Sequence, residues 1–255
     1  MKLDEFEKIV RQSVPLAEEI CLHLMGEPLA HPQFLEILKI CSDYKAQIQL
    51  TTNGLLIKRY QEVLMSYKNI RQINFSVQSF RENYPDKDLK EYLTPILNFI
   101  EKSQPQRPEL YFNLRLWNQN SKEEDNSEVF DYLENYFNLK INRNIEVGAV
   151  KSKKIWNRLY LHFDSRFEWP SLKDPIKSTK GRCHGLINHI GILANGTLVP
   201  CCLDDKGSIP LGNCKEQPIK EILNNERATA IRKGFLNGIL VEDLCQRCTY
   251  IERFR

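Results

Sequence analysis

Arg71-Gln72-Ile73-Asn74-Phe75-Ser76-Val77-Gln78-Ser79 is the stretch on which the fold turns. Ile73, Phe75 and Val77 alternate with Asn74, Ser76 and Gln78, the two-residue period of a β-strand whose faces meet different surroundings. Residues 110–117 repeat the pattern, with Phe112, Leu114 and Leu116 set against Asn113 and Arg115. A parallel strand covered on both faces would be almost wholly apolar. One apolar face packed on helices and one polar face suit the lumen of a barrel lined for a ligand. A water-facing edge accounts for one such strand, but less easily for two.

Outward from these strands, the first 150 residues alternate between two periodicities. Helical spacing is predicted over residues 3–13, 32–44, 56–67, 89–101 and 128–137. Strands are predicted over 20–25, 48–52, 71–79, 110–117 and 145–150. Pro95 is a candidate break in the fourth helix. Repeated βα units imply an α/β fold with a parallel sheet, open or closed into a barrel. The series opens on a helix with no strand before it, which would leave an unpaired sheet edge. The expectation is therefore of a chain truncated at its start. Residues 151–180, with Trp156, Trp169-Pro170 and many lysines, read as a connection. Residues 181–255 form a small cysteine-bearing module, with a hairpin turning at Asn195-Gly196.

Composition narrows the function classes. The apolar fraction of 42% and charged fraction of 27% are ordinary for a soluble domain. No run is long enough for a membrane span, and the charged start Lys2-Leu3-Asp4-Glu5 lacks the apolar core of a secretory signal. A cytoplasmic setting is expected, in which grouped cysteines favour metal over disulfides. A net charge of +3 is too small to argue for nucleic acid. The basic residues Lys151, Lys153, Lys154 and Arg158 read as a solvated connection.

Of eight cysteines, four have ligand-like spacing: Cys183, Cys201 and the pair Cys245-Gln246-Arg247-Cys248. Four thiolates suit a tetrahedral zinc ion or an iron–sulfur cluster equally, so spacing alone leaves the metal open. Cys202 adjoins Cys201, and neighbouring side chains rarely reach one centre together, so the choice between them stays open as well. Cys214 reads as structural, and Cys21 and Cys41 as core thiols. Gly26-Glu27-Pro28 and Thr51-Thr52-Asn53-Gly54 each follow a strand directly, where active sites of βα barrels gather. Taken singly, each is an ordinary turn. His23 and His31 flank the first and read as hydrogen-bonded structural histidines.

Together, residues 22–29 with His31-Pro32, then Thr51-Thr52-Asn53-Gly54, then Asn74-Phe75-Ser76-Val77, resemble the radical S-adenosylmethionine (radical SAM) enzymes. Residues 194–202, Leu211-Gly212-Asn213 and Cys245 to Cys248 resemble the SPASM or twitch extension of that superfamily. The resemblance implies a partial (β/α)6 barrel, missing its first strand, over residues 1–150. It implies contact of Gly26, Glu27 and Pro28 with the methionine amino group of S-adenosylmethionine. Thr52, Asn53 and Ser76 would lie at strand ends near its ribose or carboxylate, and Arg115 would face the carboxylate. Cys183, Cys201, Cys245 and Cys248 would ligate an auxiliary 4Fe-4S cluster, which turns the choice of metal toward iron.

The resemblance also implies radical hydrogen abstraction from a substrate, with a peptide or protein as the guess, and a reductant such as flavodoxin or ferredoxin. A non-catalytic remnant with a structural zinc site is the alternative. One departure matters: the C-x3-C-x2-C segment that defines the family, and that holds the second 4Fe-4S cluster of a complete form, has no counterpart among the eight cysteines. The chain as given is expected not to generate a 5′-deoxyadenosyl radical.

Overall fold

The structure, a computed structural model, describes residues 1–119, 126–146, 149–166 and 168–254. It divides into two compact units: Glu18–Arg166, and Met1–Ala17 together with Phe167–Arg255. The chain opens with helix α1 (Leu3–Ser13), which belongs to the second unit.

The first unit runs β1 (Ile20–Cys21), α2 (Phe34–Asp43), β2 (Ile48–Thr52), α3 (Ile57–Ser66), β3 (Ile70–Phe75), α4 (Phe80–Asn83), α5 (Leu89–Ser103), β4 (Tyr111–Gln119), α6 (Ser127–Phe137), β5 (Ser152–Trp156) and β6 (Leu159–Ser165). The sheet order is β1-β2-β3-β4-β6-β5. All neighbours pair in parallel except β5, which runs antiparallel along β6. This is the expected βα series, left open as a partial barrel. Its β1 edge is only two residues long and its β5 edge carries Lys153 and Lys154, two ways in which sheets discourage edge-to-edge pairing.

Register separates the two faces. Leu50, Ile73, Phe112 and Leu159 lie in one row across four strands, and Thr51, Asn74, Asn113 and Tyr160 in the next. The apolar row is fully buried, together with the inner stripes of α3 and α5, such as Ile57 and Leu64, and Leu93, Ile96 and Ile100. Phe99 meets Phe112 edge to face at 5.7 Å. Burial of each such side chain is worth about 1.5–3 kcal/mol. Pro95 does not break α5, which is continuous from Leu89 to Ser103. The proline removes one helical donor, and the buried stripe continues past it.

Residues 152–165, expected within a connection, instead form two strands of the main sheet. The strand expected over residues 145–150 falls partly outside the described residues, and the described part carries no strand.

Arg107 fastens the end of α3 to the start of β3. It is fully buried and donates to the carbonyls of Met65, Tyr67, Lys68 and Ile70 at 3.0–3.3 Å, as well as to Glu109. These include carbonyls that a helix C-terminus leaves without intrahelical donors.

The second unit adds β7 (Gly191–Ile192), β8 (Thr197–Val199), β9 (Gly212–Asn213), α7 (Ile219–Leu223), α8 (Glu226–Leu236) and α9 (Asp243–Arg247). Strands β7, β8 and β9 form an antiparallel sheet, and the β7–β8 hairpin turns as expected at Asn195-Gly196, with Gly196 at φ +90°. Helix α1 packs here. Ile9 joins the cluster that includes Leu198, Ile219 and Leu244. Lys8 Nζ donates to the Lys215 carbonyl at 2.8 Å, Glu5 pairs with Lys215 at 2.9 Å, and Ile219 N–H donates to Gln12 Oε1 at 2.9 Å. The sequence division at residues 150 and 180 therefore differs from the observed units. Helix α1 finds its partners as far as 207 positions along the chain.

Replacement of Arg107 by methionine fills the space but removes the guanidinium donors from four carbonyls, of which Tyr67 keeps the Ile70 N–H at 3.2 Å. We expect a loss of about 3–5 kcal/mol in urea unfolding. A loss under about 1 kcal/mol would show that the arginine does not hold this junction.

Candidate functional site

One side chain ties the carboxyl ends of β1 and β2 together, and a backbone bond adds that of β3. Glu27 Oε1 accepts from Leu29 N–H at 3.0 Å and Thr52 Oγ1–H at 2.7 Å, and Oε2 accepts from Asn53 N–H at 2.6 Å. The turn after β1 is thus bonded to the turn after β2. Thr52 Oγ1 in turn accepts from Gly54 N–H at 3.0 Å, and Ser76 N–H donates to the Thr52 carbonyl at 2.9 Å, which brings in the turn after β3. From α5, Tyr92 Oη–H donates to the Asn53 carbonyl at 2.9 Å while its ring stacks on Phe80 at 4.0 Å. Burial and the nearby Glu27 push the Tyr92 hydroxyl above its ordinary pKa.

Gly26 sits at φ +89°, and its glycine is a conformational need because nothing crowds the missing side chain. Gly54, at φ +78°, meets both limits, since a Cβ would approach Ile96 Cδ1 to 2.6 Å. Pro28 opens a short 3-10 turn. Gly26, Glu27, Pro28, Thr52, Asn53 and Ser76 are therefore gathered in one place. Three of the roughly four acceptor sites of the Glu27 carboxylate are used within the fold, so its first visible task is to join loops.

Arg115 lies further along, on the polar face of β4. Its guanidinium is 4.4 Å from the Trp117 ring. Trp117 Nε1–H donates to His162 Nδ1 at 2.8 Å, across to β6, where Arg115 and His162 are register partners. The charge of Arg115 also bears on His23, just past β1. Helices α3 and α5 cover the apolar face of the sheet, so the polar face is the inner, concave one of the partial barrel. Burial first, and Arg115 second, lower His23 to about 4. Burial, then Arg115, lowers His162, with Asp164 opposing and Lys151 assisting.

His23 Nδ1 is buried without a hydrogen-bond partner among the described residues, so His23 departs from the expected structural histidine. His31 conforms to it, since its Nδ1 accepts from Gln33 N–H at 3.1 Å. Trp117 and His162 were not anticipated. The alternation Leu159-Tyr160-Leu161-His162-Phe163 carried the signal for His162. Cys21 is exposed, contrary to expectation, whereas Cys41 is buried as expected and its thiol is pushed up to about 12.

The second unit assembles the cysteines. Leu186 N–H donates to the Pro200 carbonyl at 3.1 Å, and a Cβ on Gly185 would lie 3.6 Å from Cys201 Cβ, so the Cys183 loop runs against the end of the hairpin. Short helix α9 carries Cys245 and is closed by Cys248. The fields of Cys183 and Cys248 reach Cys201, and those of Cys201, Cys183 and Cys248 reach Cys245. Burial raises all four thiols, Cys201 to about 12. Backbone N–H groups oppose the rise at three of them: Gly185 at Cys183, donating at 3.5 Å, Leu203 at Cys201, and Tyr250 and Ile251 at Cys248.

Cys202 is exposed and Cys214 is buried in the apolar cluster. No three such side chains among the described residues are drawn together tightly enough to hold one ion. The two facts are compatible, because a single zinc needs thiolates about 3.8 Å apart, and neighbours more widely spaced still feel one another's charge. A buried thiolate set with N–H donors suits an iron–sulfur cluster.

Residues 1–105 match the model of the Radical SAM superfamily, and residues 183–249 that of an iron-sulfur cluster-binding domain. GTP 3',8-cyclase of Alkaliphilus metalliredigens (strain QYMF) is 36% identical over 89 residues, covering 34% of this chain and 27% of that protein. The chain thus spans about a quarter of that curated relative. Among solved structures, BtrN in complex with AdoMet and 2-DOIA superposes with a TM-score of 0.55 at 18% identity, covering 98% of this chain and 80% of that one. The anSMEcpe structure with bound AdoMet gives 0.50 at 15% identity, covering 100% and 75%. These two likenesses concern the fold. No helix among the described residues is long and apolar enough to cross a membrane.

The lowered pKa of His23 makes a signed prediction. The unfolded chain binds a proton near pH 6.5 that the folded chain refuses until about 4. Stability from this group is complete above 6.5 and is lost as pH falls toward 4, at no more than about 1.4 kcal/mol per pH unit. Unfolding curves of the parent and of His23→Gln should diverge across that window. Curves that stay parallel would contradict the burial of this ring.

Proposed function

The chain belongs over residues 1–105 to the Radical SAM superfamily and over residues 183–249 to an iron-sulfur cluster-binding domain, and from that premise we propose that it is the core of a radical enzyme. In this reading Cys183, Cys201, Cys245 and Cys248 hold an auxiliary 4Fe-4S cluster. The strand-end loops built on Gly26, Glu27, Pro28, Thr52, Asn53 and Ser76 cradle S-adenosylmethionine. The substrate, a peptide, lies over the polar concave face of the sheet, and a small redox protein such as ferredoxin or flavodoxin supplies electrons.

What supports the reading is the match of residues 183–249 to an iron-sulfur cluster-binding domain, a span that contains all four cysteines, together with Gly185 N–H donating to Cys183 Sγ at 3.5 Å. Thiolates are costly in a buried setting, and a bound cation together with N–H donors offsets that cost. When bound, such a cluster supplies one-electron transfer or a coordination site. The residues of the chain do the rest. Glu27 fixes the relative position of two loops, with one acceptor site left for an ammonium group. Tyr92 braces Asn53 from behind, and the Leu198–Ile219 cluster with α1 keeps the cysteine loops in register.

The test is anaerobic reconstitution followed by iron and sulfide analysis. About four of each per chain are expected, with near-complete loss in Cys245→Ser and Cys248→Ser and retention in Cys202→Ser. One zinc per chain with no iron would overturn the reading in favour of a structural metal. Because the eight cysteines contain no C-x3-C-x2-C, the reduced chain mixed with S-adenosylmethionine should release no 5′-deoxyadenosine. Its detection would contradict the assignment of the cysteines.

A further inference from the structure

The polar face of the sheet holds an array that the cluster and the strand-end loops do not use. Trp117 fixes its chemistry. An indole N–H can only donate, so the 2.8 Å bond makes His162 Nδ1 an acceptor. Neutral His162 therefore carries its proton on Nε2 and is a donor there. Its register partner is Arg115, whose guanidinium is always charged and has donors only. His23, just past β1, feels the charge of Arg115, and its Nδ1 is buried with no partner among the described residues.

Buried polar atoms are nearly always hydrogen-bonded, and an orphan points to an ion, water or ligand that completes it. The fields in this region agree, since Arg115 disfavours protonation of both histidines and Lys151 adds to the effect at His162. The carboxylate that opposes them at His162, Asp164, is itself engaged with Lys151 at 3.8 Å and with Ser165 N–H at 2.8 Å.

We propose that Arg115, His162 and His23 form an oxyanion site on the concave face, which grips a carboxylate or phosphate group of the substrate. Trp117 is a positioning residue in this site. It holds His162 in the tautomer that presents a donor and lies against the Arg115 guanidinium. That the ligand is the substrate rests on the proposed function, whereas binding itself needs neither cluster nor S-adenosylmethionine. The site departs from the sequence expectation that Arg115 serves the carboxylate of the cofactor. The bonds that join the cofactor loops run through Glu27, Thr52, Asn53 and Ser76, whereas Arg115 stands among Trp117, His162 and His23.

The experiment is nitrogen-15 NMR of the imidazoles in the full chain, titrated with inorganic phosphate and, separately, with acetate against chloride at equal ionic strength. His162 should show the Nε2–H tautomer and a saturable shift with at least one of the two anions. The tighter of them identifies a phosphate- or carboxylate-bearing substrate. Arg115→Met should weaken that binding about tenfold or more, and Arg115→Lys should retain part of it, which separates lost charge from lost folding. Trp117→Phe should mix the His162 tautomers and weaken the anion.

Absence of a saturable shift with both anions would overturn the proposal, as would equal binding by folded Arg115→Met. Displacement of the anion by S-adenosylmethionine but not by adenosine would also overturn it, by assigning the site to the cofactor. These outcomes are independent of iron content, so failure here is distinguishable from failure of the radical-enzyme reading.

Discussion

A single carboxylate sets the geometry of the sheet unit's working end. Glu27 accepts three hydrogen bonds, two from backbone N–H groups and one from a hydroxyl, and bonds to a charged acceptor are about twice as strong as neutral ones. Without it the turn after β1 would lose its bonds to the Thr52 hydroxyl and the Asn53 amide. With it, the positive-φ glycines at 26 and 54, the Thr52 hydroxyl and the Asn53 amide are held as one surface. The Ser76 amide and the Tyr92 hydroxyl attach the next strand and α5 to the same surface. Gly-Glu-Pro and Thr-Asn-Gly are ordinary turns when taken alone. Their coupling through Glu27 is what makes them a site.

The cysteine unit meets a different constraint. Thiols that are to become thiolates must be gathered without water, so the fold has to supply N–H donors and an apolar wall. The loops at Cys183, Cys201 and Cys248 provide the first. The cluster containing Ile9, Leu198 and Leu244 provides the second. Helix α1 is part of that wall, which explains the apolar stripe on a helix that precedes the first strand of the sheet.

Most of the sheet unit was legible because its periodicities are local. Strand β2 and helices α3, α5 and α6 lie within about two residues of the spans read from spacing, and the polar alternation in β3 and β4 anticipated the concave face. Strands β5 and β6 were missed because Lys151, Lys153 and Lys154 suggested a solvated connection. Lysines also suit an exposed edge, and Leu159, Leu161 and Phe163 alternate as cleanly as the strands that were found. The partnership of α1 was invisible because it joins residues 207 positions apart. The same holds for Trp117, His162 and His23, where the informative contacts run across strands. The residues at the strand ends were legible only as motifs. That Glu27 spends its carboxylate on the neighbouring loop is a fact of three dimensions.

The central claim, that Glu27 orders the strand-end loops, is tested most directly by amide hydrogen exchange at Asn53. In the parent chain this amide should be protected by its bond to Glu27. In Glu27→Gln it should exchange about tenfold or more faster, as expected from loss of a bond to a charged group, while the sheet amides of Ile73 and Leu114 stay unchanged. Equal protection of Asn53 in both chains would show that the carboxylate does not hold the loops, and the account of the site would fall with it.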